Sequence, residues 1–259
     1  MFAHRGGSGL APENTTAAFD NGLALGADGL ELDVHLSRDG LVVVHHDRTL
    51  DRTTNLRGPL ESRTADELAR ADAAYSFGGN GSFPFRGRGL GVPLLSDVLA
   101  RYRDVPIVVE LKVNTSELAA AVVEVVRRGG AVDRVCLGSF GLRALRTVRR
   151  VEPAIATSAA REEVRWALYR SWCRWPVSRV AYSCYQVPEW AGRTHVVSPP
   201  FIRAAHGARL PVQVWTVDSE ADARRLLEWG VDALITDRPD VIVPLVKAER
   251  VGSHGRTNS

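Results

Sequence analysis

Acidic residues recur two positions apart inside otherwise apolar segments of the chain. Glu31 and Asp33 alternate with leucine and valine, and side chains two apart on a β-strand point the same way. Glu110 ends a second apolar run, and Lys112 comes two residues later. Charges in such runs are costly to bury unless they are paired or bind a cation. Three carboxylates that meet from neighbouring strands would form an all-oxygen site suited to Mg²⁺ or Ca²⁺.

We therefore favour metal binding by these three carboxylates over the alternative of an exposed polar strand edge. The sequence holds no His-x-His or His-Glu-x-x-His pattern that would favour zinc.

Two histidines stand at predicted strand ends, where they could transfer protons. His4 ends the first strand, and His46 ends a short strand beyond the first acidic pair. Either one alone would be an ordinary strand-end residue, but two beside a carboxylate cluster suit a general acid and a general base. Arg5 and Lys112 are suited to hold a phosphate, although each could instead pair with a carboxylate.

Short β-branched runs alternate with segments of helical period along the whole chain. The helical segments carry cap signals, such as Ser219 and Asp222 before one of them and Gly230 after it. Eight strand–crossover units in about 250 residues predict a (β/α)8 TIM barrel, with a doubly wound sheet as the alternative. We predict strands at Phe2–His4, Gly29–His35, Ile107–Lys112, Val135–Ser139, Ala154–Ser158, Val180–Tyr185, Val212–Val217 and Ala233–Thr236.

Two features interrupt this alternation after the second strand. The turn at Ser37–Gly40 joins the second strand to an extra one at Leu41–His46, which predicts a hairpin. Residues 51–93 then hold many glycines and little periodicity, and an insertion of that length is usually functional or disordered. We predict one domain over residues 1–247 and a disordered tail over 248–259.

The composition fits a globular enzyme. The chain has 259 residues, of which 45% are hydrophobic and 24% charged, and no uncharged run is long enough to span a bilayer. The formal net charge of +3 is too small for a general nucleic-acid binder. Three cysteines without metal or redox spacing indicate free thiols, and His4 lies too close to Met1 for a signal peptide to precede it. We expect a cytoplasmic location.

Short motifs around these residues follow one another in a recognisable order. They include His4-Arg5-Gly6, Pro12-Glu13-Asn14-Thr15, Glu31-Leu32-Asp33-Val34, Asp39-Gly40, His46-Asp47, Arg52-Thr53-Thr54, Gly58, Glu110-Leu111-Lys112, Ser139-Phe140, Val214-Trp215-Thr216-Val217 and Thr236-Asp237-Arg238-Pro239. This ordered set resembles cytoplasmic bacterial members of the glycerophosphodiester phosphodiesterase family. The resemblance extends from His4 to about Asp240, and it departs from the family at Asp218, where an asparagine is usual.

The resemblance implies a TIM-barrel phosphodiesterase that depends on one divalent cation, Mg²⁺ or Ca²⁺. Its substrates would be glycerophosphodiesters, cleaved to sn-glycerol 3-phosphate and an alcohol such as choline or ethanolamine. The attacking oxygen would come from water or from the adjacent glycerol hydroxyl. The implied roles are metal ligands (Glu31, Asp33, Glu110), general acid and base (His4, His46), phosphate binding (Arg5, Lys112) and a substrate wall (Trp215). Glu13 is part of the motif, and we expect it either to support the other site residues or to begin a helix.

Other functions stay open beside this one. The first is a lipid phosphodiesterase of lysophospholipase D or sphingomyelinase D type on the same barrel, because residues 165–175 are basic and aromatic, as interfacial helices are. We favour instead an outer barrel helix whose aromatic residues pack inward, and so expect no membrane contact.

A non-catalytic phosphodiester-binding protein would lack a histidine or a carboxylate, and none is missing. A nucleic-acid enzyme would need a basic stripe with interleaved aromatic residues. The oligomeric state stays open.

Overall fold

The structure, a computed structural model, describes residues 1–173, 175 and 180–255. Its strands are β1 (Phe2–His4), β2 (Gly29–Leu36), β3 (Val42–Val44), β4 (Ile107–Leu111), β5 (Val135–Gly138), β6 (Ala156–Thr157), β7 (Tyr185–Pro188), β8 (Trp190–Ala191), β9 (Thr194–His195), β10 (Val212–Trp215) and β11 (Ala233–Thr236). Its α-helices are α1 (Thr16–Ala24), α2 (Ala65–Ala69), α3 (Leu95–Arg101), α4 (Ser116–Arg128), α5 (Leu142–Val151), α6 (Arg161–Trp172), α7 (Pro199–Gly207), α8 (Glu220–Glu228) and α9 (Pro239–Gly255).

Parallel strands form one sheet in the order β6-β5-β4-β2-β1-β11-β10-β7. The two outer strands of this order meet through a parallel bridge between Ser158 and Cys184. There the Ser183 amide donates to the Thr157 carbonyl at 2.8 Å, and the Ala159 amide donates to the Cys184 carbonyl at 2.9 Å. The sheet therefore closes, which confirms the predicted TIM barrel. Strand β3 pairs antiparallel with β2 as the predicted hairpin strand.

The register of the central strands brings the polar residues to one level. His4 of β1 lies beside Glu31 of β2, and Asp33 of β2 lies beside Glu110 of β4. In a parallel barrel the carboxyl ends of all strands open on the same face. The acidic and histidine residues of three strands therefore converge at one mouth.

The crossover helices cover the outside of the barrel with their apolar faces. In α4, Leu118 and Val126 are buried, as its helical period predicts. The Thr115 hydroxyl caps this helix by accepting from the Leu118 amide at 3.3 Å. The predicted cap of α8 also forms, because the Ser219 hydroxyl accepts from the Asp222 amide at 3.1 Å.

The insertion over residues 51–93 is a folded segment that shares a small apolar core with β3. It contains a 3₁₀ turn at Leu60–Ser62 and helix α2. The Val44 amide of β3 donates to the Pro93 carbonyl at 2.9 Å, so the end of the segment is hydrogen-bonded to the hairpin. The apolar residues of this core include Val43, Leu50, Leu60, Leu68 and Val92.

The sixth barrel strand lies later in the chain than the sequence predicts. We predict Val180–Tyr185, whereas β7 spans Tyr185–Pro188 and pairs Pro188 with Trp215 of β10. A proline is tolerated at a strand end because its fixed φ fits extended backbone. The residues before β7 have a strand-like composition because Tyr182 packs in the interior. There its hydroxyl lies 2.8 Å from that of Tyr185.

The aromatic residues of α6 lie on the outside of the barrel, so the inward packing that we favoured from the sequence is wrong. Trp166, Tyr169 and Trp172 are all exposed. The helix buries Ala167 and Leu168 instead. Residues three apart share a helix face, so the aromatic side chains follow one another on the face away from the core.

The last helix, α9, continues past residue 247, where we predict the domain to end. Residues 248–255 of the predicted tail fall within α9, and 256–259 lie outside the described residues, as do Arg174 and 176–179. Among the described helices, none is both long and apolar enough to cross a membrane.

Candidate active site

Three carboxylates lie close together at the carboxyl ends of β2 and β4. One oxygen atom of each of Glu31, Asp33 and Glu110 lies within 4.8 Å of the other two. Burial, together with the charge of Asp33, raises the pKa of Glu31 to about 8. Burial also raises the pKa of Glu110. Both shifts come first from burial, which disfavours the ionised form, and a positive charge beside the carboxylates would favour that form.

The cluster fits a hard divalent cation. The Asn14 side chain donates to Asp33 Oδ2 at 2.8 Å. The other oxygen, Asp33 Oδ1, is buried and accepts no hydrogen bond from any described residue, although the Lys112 Nζ atom lies 3.4 Å from it as an ion pair. A buried carboxylate oxygen without a donor is costly, and a bound cation would remove that cost. The donor set consists of oxygen atoms alone, which suits Mg²⁺ or Ca²⁺.

His4 is held by a carboxylate from the other end of the chain. Its Nδ1 atom lies 2.7 Å from Asp237 Oδ1, and its Nε2 atom lies 3.8 Å from Glu31 Oε2. Burial alone would lower the pKa of His4, but the negative charges of Glu31 and Asp237 outweigh it and raise the pKa. Our sequence reasoning assigned Asp237 no role. The available signal was its place directly after the last strand, which is the neighbour of the first strand in a closed barrel.

His46 is also held by a carboxylate. Its Nδ1 atom lies 2.5 Å from Asp47 Oδ1, and the Arg52 Nε atom donates to Asp47 Oδ2 at 2.6 Å. Burial alone would raise the pKa of Asp47, but the hydrogen bonds from Arg52 and His46 hold it well below its usual range. The nearby His35 and His45 lie within 3.0 Å and 3.2 Å of backbone carbonyl oxygens, and neither lines the cavity described below.

Glu13 joins the two halves of the site. It accepts from Arg52 at 2.6 and 2.8 Å and from Arg5 Nη1 at 3.0 Å. Arg5 Nε in turn lies 3.3 Å from Asp33 Oδ2. Arg52 also binds Asp47, the carboxylate that holds His46. Alternating arginines and carboxylates therefore connect Asp47 to the carboxylate cluster.

Two cations stand against the carboxylates. The Lys112 Nζ atom lies 3.3 Å from Glu110 Oε1 and 3.4 Å from Asp33 Oδ1. Arg5 has a φ of 51°, in the left-handed region that side chains rarely adopt, and its backbone amide donates to Glu31 Oε2 at 3.0 Å. Arg5 and Lys112 also line the cavity. Each can therefore pair with a carboxylate and still contact an anionic ligand in the cavity.

A cavity of about 560 Å³ opens over this cluster. Both histidines line it, together with the aromatic residues Phe140, Trp190 and Trp215. The ring centroids of Phe140 and Trp215 lie 5.8 Å apart, edge to face. Sequence reasoning identified Trp215 but missed Trp190, which the short β8–β9 hairpin carries to the mouth. The cavity therefore offers a charged end for a phosphate and an apolar wall for the group attached to it.

The sequence and the fold are both similar to those of known proteins. The profile of the Glycerophosphoryl diester phosphodiesterase family matches residues 4–241. A glycerophosphodiester phosphodiesterase of Caldanaerobacter subterraneus is 31% identical over 252 residues, which covers 95% of this chain and 97% of that protein.

Two solved structures have the same fold. The glycerophosphodiester phosphodiesterase of Agrobacterium tumefaciens has a TM-score of 0.77 and 31% identity, over 93% of this chain and 97% of that one. A phosphodiesterase of Oleispira antarctica, solved in complex with the product sn-glycerol-3-phosphate, has a TM-score of 0.77 and 26% identity, over 95% of this chain and 96% of that one.

Proposed function

Since the chain belongs to the glycerophosphoryl diester phosphodiesterase family and is an enzyme of that class, we propose that it hydrolyses glycerophosphodiesters to sn-glycerol 3-phosphate and an alcohol, with one divalent cation. The observation that carries this proposal is the meeting of three carboxylates and two carboxylate-held histidines at one cavity. The bound product in the Oleispira antarctica phosphodiesterase supports the product assignment.

Glu31, Asp33 and Glu110 would hold the cation, as Mg²⁺ or Ca²⁺. When bound, it would offset the negative charge of the phosphate and lower the pKa of a hydroxyl group next to it. Arg5 and Lys112 would contact the phosphate oxygens from the same side. Trp215 would form the wall against which the substrate lies.

The two histidines would move the protons. One of them removes the proton from the attacking oxygen, and the other protonates the leaving alcohol oxygen. If the attacking oxygen belongs to water, glycerol 3-phosphate forms directly. If it belongs to the neighbouring glycerol hydroxyl, a cyclic phosphate forms as the alcohol leaves, and water then opens it to glycerol 3-phosphate. Asp237 and Asp47 would fix the two imidazole rings by binding Nδ1 and leave Nε2 to face the substrate. Glu13 would hold Arg5 and Arg52 in place.

The test is release of glycerol 3-phosphate from a panel of glycerophosphodiesters, with and without EDTA. We expect release that stops on chelation and returns with Mg²⁺ or Ca²⁺. Calorimetry with the metal alone should show weaker binding to Glu31→Gln than to the matched control Glu124→Gln, which changes an exposed carboxylate on α4. Undiminished hydrolysis after exhaustive chelation would contradict the metal assignment.

A lipid phosphodiesterase of lysophospholipase D type is the second candidate. The aromatic residues of the cavity support it, because their rings can pack against an alkyl chain as well as bind a choline cation. The panel should therefore include a lysophospholipid, whose faster hydrolysis would favour the second candidate. The cysteines are free thiols, which supports a reducing compartment, and we propose the cytoplasm.

A further inference from the structure

A row of aromatic side chains runs along the outside of α6. Trp166, Tyr169 and Trp172 are 67%, 53% and 59% exposed, and Trp175, just beyond the helix, is 68% exposed. The ring centroids of successive residues in the helix lie 6.4 Å and 5.6 Å apart, edge to face. We call these four residues the aromatic row.

The exposed area of the aromatic row is large for an apolar patch on a soluble monomer but smaller than the area that a stable protein–protein interface buries. Soluble monomers rarely expose several large rings side by side unless the patch binds something. The four rings expose roughly 500 Å² together, at the size of a typical aromatic side chain. Each partner of a stable complex buries about 800 Å². The row alone is therefore too narrow for a stable contact between two copies of the chain.

The charges around the row are mainly positive. Arg165 and Arg170 of α6 form no ion pair with any described residue. Of the two carboxylates on this helix, Glu163 is neutralised by Arg149 of α5 at 2.7 Å, and Glu162 is exposed. On α5, which this ion pair joins to α6, Arg146 and Arg150 are likewise exposed and unpaired within the described chain. The helix that carries the aromatic rings thus presents two arginines, Arg165 and Arg170, without ion-pair partners in the described chain.

From this combination we propose that the aromatic row is a docking surface for an anionic lipid bilayer. Tryptophan and tyrosine rings prefer the boundary between acyl chains and head groups, and arginines next to them attract anionic lipid phosphates. Arg161 and Val164, in the first turn of the same helix, line the cavity. Docking through α6 therefore places the cavity mouth beside the bilayer surface.

The experiment is co-sedimentation of the full chain with vesicles of phosphatidylcholine alone or of phosphatidylcholine mixed with phosphatidylglycerol. We expect binding to the mixed vesicles that falls as salt rises. The triple variant Trp166→Ser, Tyr169→Ser, Trp172→Ser should lose binding by at least about tenfold. The control Tyr75→Ser, which changes an exposed aromatic residue of the insertion, should bind as the unchanged chain does.

A second variant tests the charges without touching the rings. Arg165→Gln with Arg170→Gln should weaken binding to the mixed vesicles and remove most of its salt dependence. Because Arg165 is exposed and Arg170 is only half-buried, this variant changes no fully buried residue and also tests the proposal if the triple variant does not fold.

Three results would overturn the proposal. The unchanged chain could stay in the supernatant with both kinds of vesicle, or the triple variant could bind as well as the unchanged chain. Light scattering could instead show a dimer that the triple variant converts to a monomer, which would make the row a contact between copies. Binding is measured without substrate, and the triple variant should release glycerol 3-phosphate from a soluble diester at the unchanged rate. Failure here is therefore distinct from failure of the proposed reaction.

Discussion

His4 Nδ1 lies 2.7 Å from Asp237 Oδ1, although 233 residues separate the two along the chain. The barrel closes with β11 beside β1, and Thr236 pairs with Ala3, so the next residue of each strand reaches the same mouth. A carboxylate at Nδ1 keeps that nitrogen protonated and leaves Nε2 for proton transfer. In the proposed mechanism, Asp237 would therefore act on the reaction through His4, as a positioning residue.

We predict that Asp237→Asn lowers kcat by about 10²-fold or more, with a much smaller change in KM. An amide cannot stabilise a positive imidazole as a carboxylate does, and it can hold the ring in the wrong tautomer. Steady-state kinetics on a soluble glycerophosphodiester would measure this effect. Asp240→Asn is the matched control, because Asp240 lies three residues further on, in the first turn of α9, and contacts Arg238. Equal losses in the two variants would show that Asp237 has only a structural role.

We predict that His4→Ala and His46→Ala each lower kcat by roughly 10²–10⁴-fold while the fold stays intact. The double variant should lose much less than the product of the two effects, since both residues serve one sequence of proton transfers. The control is His206→Ala, because His206 also pairs with a carboxylate, Asp232 at 2.8 Å, but lies away from the cavity. If either single variant turned over substrate nearly as fast as the unchanged enzyme, the assignment of His4 and His46 as general acid and base would be wrong.

We predict that Glu13→Gln destabilises the protein by about 1–3 kcal/mol at neutral pH, because two arginines lose a shared carboxylate. Burial alone would raise the pKa of Glu13, but Arg52 and Arg5 lower it below its usual 4.5. A carboxyl group whose pKa is lower in the folded state stabilises the fold above its unfolded pKa and loses that effect as pH falls.

The difference in unfolding free energy between Glu13→Gln and the unchanged chain should therefore be full above about pH 5 and shrink at more acidic pH. Urea unfolding at several pH values would measure it. Glu61→Gln, which changes an exposed carboxylate of the insertion, should have little effect at any pH. A difference that grows as the pH falls would contradict this account of Glu13.

We predict that Lys112→Arg lowers kcat/KM at least about tenfold, or roughly 1.4 kcal/mol of transition-state stabilisation. Lys112 is one of only two lysines among the 33 basic residues that are not histidine, and its Nζ atom lies between Glu110 and Asp33. A planar guanidinium is larger than an ammonium and fixes two hydrogen bonds at once. The other lysine, the exposed Lys247 of α9, should accept arginine without effect, and equal activity of both variants would make Lys112 an ordinary ion-pair residue.

The sequence predicted best those features that depend on residues close together along the chain. The alternation around Glu31 and Asp33 predicts a strand with one polar face, and β2 spans that segment. The apolar period of α4 and the cap at Ser219 are equally local, and both elements form as predicted. These features depend on neighbouring residues, which a single sequence displays.

What could not be predicted depends on contacts between distant segments. Asp237 gains its place from barrel closure, and Arg52 from the folding of the insertion against Glu13. The aromatic residues of α6 have the spacing of a core face, and only the burial of Ala167 and Leu168 shows which side of the helix faces inward.

Barrel closure also sets the order in which the site is completed during synthesis. His4 leaves the ribosome before Asp237, which follows it by 233 residues. At ordinary translation rates this delay is roughly 10–50 s. A nascent chain of any intermediate length carries the histidine without its carboxylate and the first strand without its neighbour on one side. A truncated product that stops before β11 should consequently be inert rather than partly active.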